Sequence, residues 1–117
     1  MELEYNNDRI KKTLTDASVL IKRVGLPNAK QIKKRLDHLD AFKNIYELMG
    51  SRIDNPHLLK ENLYGCIAWS ITGNLRLILD LKFEKNQKYD LEIAKREKIS
   101  IKGVVDYHGG KDEWIIS

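Results

Sequence analysis

Apolar residues recur every three or four positions along the first 50 residues, and this is the period of an amphipathic helix. The alternation of Leu3 and Tyr5 with acidic residues first predicts a short edge strand. Asn7 or Asp8 then caps a first helix, which Gly25 ends with help from the proline two residues later. The apolar stripe of this helix consists of Ile10, Leu14, Ala17, Ile21 and Val24.

The same period continues in a second predicted helix, which begins at Asn28 and stops at Gly50. Its apolar stripe consists of Ile32, Leu36, Leu39, Phe42, Ile45 and Met49. Because the loop between the two helices is short, the pattern predicts an antiparallel helix hairpin.

The period changes from 3.6 to 2 after Pro56, which indicates strands. Alternation over residues 66–71 and 75–83 surrounds Gly73-Asn74, a dipeptide typical of a hairpin turn. Leu91 and Ile93 predict a weak strand, and residues 99–108 predict the last one. The fold class is therefore α+β: an N-terminal strand and a two-helix hairpin, packed on a mostly antiparallel sheet. One face of the sheet is expected to lie on the helices and the other to be partly open to solvent.

Length and composition limit the classes of protein that fit. A chain of 117 residues predicts one domain over residues 1–117, and 42% hydrophobic with 32% charged residues excludes a disordered chain. The single cysteine, Cys66, excludes an internal disulfide framework and, with no second cysteine nearby, argues against a thiolate metal site. No cofactor is expected. The absence of a transmembrane-length apolar run or a signal peptide predicts a cytoplasmic protein with no membrane partner.

The charge is mildly positive, with a net value of +4. The excess lies in residues 1–60, which hold 12 Lys and Arg against 8 Asp and Glu. Such a bias favours a nucleic acid or an acidic protein as partner. The alternative is a lysine-rich surface that is merely solvated, and on charge alone this is the better interpretation.

The last predicted strand contains the residues most suited to chemistry. Asp106 and His108 are two residues apart, so both leave the same face of the strand. The leucines of the preceding strand point to the helices, so Arg76 is expected to share the open face, with His57 and Lys60 at its rim. Such a set suits metal-independent RNA cleavage. One group takes the proton of a 2′-hydroxyl, another protonates the leaving 5′-oxygen, and cations hold the phosphate.

Each of these residues also has a plain structural explanation. His57 follows a proline and fits an ordinary loop, Arg76 could solubilise a strand, and Lys60 with Glu61 could form a weak surface pair. Tyr107 falls on the same side of the alternation as the buried residues of the last strand. A position in the core therefore fits Tyr107 as well as contact with a base does. Asp-Tyr-His alone is a weak motif.

The order of the segments is more specific, and it resembles the RelE/HigB-type toxins of bacterial toxin–antitoxin pairs. The matching segments are His57-Leu58-Leu59-Lys60, Trp69-Ser70-Ile71, Gly73-Asn74-Leu75-Arg76-Leu77-Ile78 and Val105-Asp106-Tyr107-His108. The resemblance implies a compact α/β fold and cleavage of messenger RNA in the ribosomal A site. It also implies a cognate antitoxin, often with a helix-turn-helix DNA-binding domain.

The resemblance also implies roles for individual residues. His57 and His108 would share proton transfer, and Asp106 would orient the attacking hydroxyl or a histidine. Lys60 and Arg76 would clamp the phosphate. Tyr107 would contact a base. Which histidine is the acid and which is the base stays open.

Three features depart from the family pattern. Glu61 stands where the family usually has glycine after the lysine, and Leu75 stands where an aromatic often precedes the strand arginine. Residues 109–117 form a C-terminal tail that could cover the site, pair along a sheet edge or dock a partner.

Three functions therefore remain open. The first is a ribosome-dependent endoribonuclease toxin. The second is a toxin of the same fold that binds DNA gyrase, and the presence of His57, Lys60 and His108 argues against it. The third is a non-catalytic RNA- or protein-binding module, which would be favoured if His57 and His108 lay far apart.

Overall fold

A six-stranded sheet with helices on one face forms the structure, which is a computed structural model describing all 117 residues. The strands are β1 (Glu2–Tyr5), β2 (His57–Leu58), β3 (Cys66–Ser70), β4 (Leu75–Asp80), β5 (Lys98–His108) and β6 (Lys111–Ile116). The helices are α1 (Asp8–Thr15), α2 (Ala17–Val24), α3 (Leu26–Ala41), α4 (Ile45–Met49) and α5 (Leu91–Ala94), with a 3₁₀ turn over Glu61–Leu63. The predicted α+β class is confirmed. None of the helices has the length and apolar character needed to cross a membrane.

The two long helices of the prediction are four separate segments. Asp16 has extended backbone angles (φ −107°, ψ 109°) and its side chain accepts hydrogen bonds from the backbone N–H groups of Ser18 and Val19. Asn44 caps α4 in the same way, by accepting from the N–H of Glu47. The simple two-helix hairpin is therefore wrong in detail. In the middle of each apolar stripe, a short polar side chain caps a new helix by accepting hydrogen bonds from the backbone. Because the stripe continues across the break, the pattern of apolar residues does not reveal it.

The predicted strand at Leu91 and Ile93 is also wrong, because these residues lie in the short helix α5. The side chain of Asp90 accepts a hydrogen bond from the N–H of Ile93 and so starts the helix. A segment of this length is too short for hydrophobic periodicity to separate a strand from a helix.

The strand order is β1-β5-β4-β3-β2, and β1 with β5 is the only parallel pair. The prediction of a mostly antiparallel sheet is thus confirmed. Strand β6 folds back and pairs with the second half of β5, beyond the part of β5 that pairs with β1. Of the three roles considered for the tail, the structure shows pairing along the sheet.

The two faces of the sheet are covered unequally. We call the side that packs on α1–α5 the helix face and the opposite side the outer face. The helix face holds the main core, which includes Leu75 and Leu77. The outer face holds a small second cluster of Cys66, Ala68, Ile78 and Val105. Leu59 and Leu63 pack against this cluster, so the face expected to be open is partly covered.

A bulge in β5 changes which side chains face the helices. Ile78 pairs with Gly103 whereas the next residue, Leu79, pairs with Ile101, so Lys102 is an extra residue. An extra residue shifts the alternation of side chains by one position. Consequently Ile101 and Val104 both belong to the helix-face core, and every residue from Gly103 onward has the opposite orientation from that predicted by simple alternation.

Gly103 makes this bulge possible, and we expect Gly103→Ala to destabilise the protein strongly. Its φ is +151°, and an added Cβ would lie 2.0 Å from the carbonyl oxygen of Ile116 on β6. Backbone strain and overpacking together predict a loss of about 2–4 kcal/mol in the free energy of unfolding. Urea denaturation measures this, with Gly73→Ala as the control because nothing lies within 4 Å of its added Cβ. Equal losses in the two variants would contradict the role given to Gly103.

Candidate functional site

Arg76 lies on the outer face, at the end of the sheet formed by the β3–β4 hairpin. It pairs with Ser70 on one side and with Val105 on the other. Its Nη1 donates hydrogen bonds to the carbonyls of Thr72 (3.0 Å), Gly73 (3.1 Å) and Leu75 (3.2 Å). These bonds hold the guanidinium beside the hairpin. Its Nη2 makes no hydrogen bond within the protein and is left to bind an anion.

Tyr107 lies on the outer face as well, close to the same hairpin. Its backbone N–H donates to the carbonyl of Asn74 at 2.8 Å. Its side chain is 46% exposed. The bulge turned Tyr107 away from the helices, so of its two predicted locations the structure shows the solvent-accessible one. Such a ring is available for stacking on a base.

His108 and Asp106 form a pair at the same end of the sheet. The imidazole Nδ1 lies 3.3 Å from Asp106 Oδ1, and Nε2 lies 4.0 Å from a carboxylate oxygen of Glu113 on β6. The imidazole is largely exposed, whereas Asp106 Oδ1 is buried and accepts no well-aligned hydrogen bond. Asp106 lies close enough to Nδ1 to orient the imidazole, and Nε2 lies on the side of Glu113 and solvent. This arrangement suits proton transfer to a bound molecule.

The prediction that Arg76, Asp106 and His108 share the face opposite the helices is wrong. Asp106 pairs with Leu75, a residue of the helix-face core, whereas Arg76 pairs with Val105 of the outer face. Directly paired residues project on the same side of a sheet. The extra residue in β5 is the cause, because it reverses the alternation between Ile101 and Asp106.

His57 and Lys60 do not join the other candidates. His57 pairs with Ala68 and is exposed on the outer face, with Nδ1 3.0 Å from the carbonyl oxygen of Asn55. Strands β3 and β4 separate it from β5, so three strand spacings, about 14 Å, lie between His57 and the strand of His108. The expectation that His57 and Lys60 lie at the rim of one compact site is therefore wrong. The sequence pattern placed them near the sheet but carried no information about strand order.

Lys60 lies at the opposite end of the sheet from Arg76. The N–H of the preceding residue, Leu59, donates to the carbonyl of Cys66 at 2.9 Å. Cys66 and Ser70 are the two ends of β3, about 13 Å apart, and Arg76 pairs with Ser70. Since Arg76 is held at the hairpin, the two cations cannot hold one phosphate together.

The loop after Lys60 explains one departure from the family pattern. Glu61 has φ +58°, in the left-handed region that glycine adopts without steric cost. The chain therefore keeps the backbone shape that glycine would favour, at a steric cost of about 1–2 kcal/mol.

Two residues of the outer face, Trp114 and Lys102, were missed by the sequence analysis. Trp114 pairs with Val105, in the same row across the sheet as Arg76. Lys102 is the extra residue of the bulge. The apolar run Trp114-Ile115-Ile116, shortly after the Gly109-Gly110 turn, was the signal for a further strand. Burial is the main reason that the pKa of the Cys66 thiol is raised; Asp80 adds to this effect and Lys102 opposes it. The thiol is therefore protonated at neutral pH, which makes Cys66 a poor nucleophile.

Metal chemistry has no cluster of ligands to support it. The structure contains no group of three or more His, Cys, Asp or Glu side chains that could hold a metal ion.

Two solved structures share this fold, so the predicted RelE-like fold is confirmed. The YoeB–YefM complex from Staphylococcus aureus matches with a TM-score of 0.52 and 18% identity, over 92% of this chain and 97% of the other. The YoeB/ParE toxin from Agrobacterium tumefaciens matches with a TM-score of 0.52 and 12% identity, over 92% and 99% of the two chains. At these identities the likeness concerns the fold alone. No protein-family model matches the sequence, and no curated protein matches it significantly.

Proposed function

We propose that this chain is the toxin of a toxin–antitoxin pair and that it cleaves messenger RNA on the ribosome in the cytoplasm. The observation that carries the proposal is the His108–Asp106 pair, with 3.3 Å between Nδ1 and Oδ1 and with the imidazole exposed at the same end of the sheet as Arg76. The fold supports it, because structural alignments with the YoeB–YefM complex and with the YoeB/ParE toxin each cover 92% of this chain.

In this proposal the RNA passes over the end of the β4–β5 pair rather than across one face of the sheet. Strand β4 begins at Leu75 and β5 ends at His108, so residues of both faces are accessible from this end. Arg76 holds the phosphate from the outer face, and Tyr107 contacts a neighbouring base.

His108 transfers a proton to or from the reacting oxygen, and Asp106 orients its ring. Since His57 is three strands away, no second imidazole takes part. The reaction needs two proton transfers, and the one that His108 does not carry out depends on water or on a group of the ribosome. Whether His108 serves as base or as acid stays open.

A cognate antitoxin is the expected partner, as in the complex from Staphylococcus aureus. We place its contact at an apolar groove of about 690 Å³ between β1 and the helices α1–α3. Ile21 and Leu26 are exposed there. Three lysines and two aspartates also line the groove, which leaves it net positive: Lys30, Lys33, Lys34, Asp37 and Asp40. This chemistry fits an amphipathic antitoxin segment with acidic residues beside its apolar face. A helix-turn-helix domain on that antitoxin stays a prediction.

A second candidate function has an observation of its own. His57 and His108 are far apart, which favours a non-catalytic module that binds RNA or protein. A gyrase-directed toxin of the same fold stays open as the third possibility.

Expression of the chain alone in bacteria separates these functions. We expect protein synthesis, measured by incorporation of a labelled amino acid, to stop before DNA synthesis, measured by labelled thymidine. The reason is that mRNA cleavage removes the template for translation directly. Arrest of DNA synthesis first would instead indicate a gyrase-directed toxin, and undisturbed growth would favour the binding module.

A further inference from the structure

Strand β6 adds a second exposed aromatic ring to the outer face. Trp114 pairs with Val105, and its side chain is 37% exposed. Its ring lies over Gly103, with the Trp114 Cζ3 atom 3.1 Å from the position that a Cβ of Gly103 would take. The glycine that forms the bulge therefore also makes room for the indole.

Beside the indole is a cavity of about 460 Å³, a size within the usual range for a small-ligand pocket. Leu63 and Trp114 supply its apolar wall, and Arg9 and Lys102 line it with positive charge. The Arg9 Nε donates a hydrogen bond to the backbone oxygen of Ser117 at 3.0 Å. Lys102 forms no ion pair and is free to meet a phosphate.

The cavity lies close to the proposed path of the RNA. Tyr107 pairs with Asp112, two residues before Trp114 on β6. Trp114 is thus a diagonal neighbour of Tyr107, at about 7–8 Å between backbone positions. A strand of RNA that touches Tyr107 can reach the indole without leaving the outer face.

We propose that this cavity binds a base of single-stranded RNA next to the cleaved position, with the base stacked on Trp114 and a phosphate held by Lys102 and Arg9. The choice of RNA as ligand rests on the proposed function. Asp112 lies on the same face, and its negative charge repels a polyanion. Stacking should therefore contribute more of the affinity than charge does. Recognition by stacking is largely independent of sequence.

The test measures binding of a labelled single-stranded RNA hexamer to the purified chain by fluorescence polarisation. Trp114→Ala should weaken binding about tenfold, and Trp114→Phe should stay within about threefold of the parent, because it keeps a stacking ring. Lys102→Gln should reduce the slope of log affinity against log salt by about 0.7, the value for one phosphate on a single strand. RNA should also quench tryptophan fluorescence in the parent, because the other tryptophan, Trp69, is completely buried.

Tyr46→Ala is the matched control, since this ring is 70% exposed on α4, on the other side of the sheet. It should leave RNA affinity unchanged. Thermal unfolding of each variant shows whether it is folded, and Trp114→Phe keeps the inference testable if Trp114→Ala is not. Parent-like binding by Trp114→Ala, or no binding by the parent chain, would overturn the inference.

The assay contains no ribosome and requires no cleavage, so its outcome is separate from that of the growth experiment. Trp114-dependent binding without growth arrest would support the pocket and reject the proposed function. Growth arrest together with RNA binding that does not depend on Trp114 would support the proposed function and reject the pocket.

Discussion

Replacement of His108 by alanine should relieve the growth arrest caused by the chain at equal protein level. In the proposed mechanism, His108 is the one imidazole that reaches the reacting oxygen, and loss of a proton-transfer group typically lowers a rate by about 10²–10⁴-fold. The measurement is protein synthesis after induction, with the amount of each variant determined by immunoblotting. Asp106→Asn should have a smaller effect, since it removes the group that orients the ring and leaves the imidazole in place.

The structure supplies a matched control in His57, the other exposed histidine of the sheet. Because His57 lies three strands from β5, His57→Ala should remain as toxic as the parent. A fully toxic His108→Ala variant would show that the role given to His108 is wrong. Relief by His57→Ala instead would show that the chemistry takes place near β2.

Cleavage of RNA should depend almost completely on the ribosome. The end of the sheet offers one imidazole and one anchored guanidinium, with little to align a 2′-hydroxyl for in-line attack. Correct orientation can contribute about 7–11 kcal/mol to lowering a reaction barrier, which is more than these side chains supply. A ribosome that holds the codon in its A site would provide that orientation.

The measurement is to incubate the purified chain with one mRNA, with and without programmed ribosomes, and to map the cuts. We expect cuts confined to the codon in the A site. The His108→Ala chain serves as the control for contaminating nucleases. Equally fast cleavage of naked RNA would identify a free ribonuclease. The absence of cleavage in both samples would favour the binding module.

The fold was largely predictable from local pattern. Alternation in β3, β4 and β5 and the Gly73-Asn74 turn were enough to predict the antiparallel hairpin and the last strand. The helix breaks at Asp16 and Asn44 were not predicted, because a capping side chain in the middle of an apolar stripe leaves the stripe unchanged. The helix at Leu91 was misassigned because two apolar residues do not define a period.

The candidate site was predictable only as a set of residue types. Arg76, Tyr107, Asp106 and His108 do lie at one end of the sheet, as the order of the segments suggested. These four residues lie on two different faces because β5 contains one extra residue, Lys102. Counting alternate positions from Ile101 does not reveal this extra residue. Trp114 was overlooked as a possible ligand contact because residues 109–117 were considered as a tail.

The sequence by itself determined the fold class, the strands of the central sheet and the chemical groups at the chain's disposal, because these follow from local periodicity and residue type. Only the tertiary structure decided which groups meet. The order of β2, β3, β4 and β5 separates His57 from His108, and the β5 bulge places Arg76 with Tyr107 rather than with Asp106. Both depend on hydrogen bonds between residues distant in the chain, and a local pattern holds no information about such pairings.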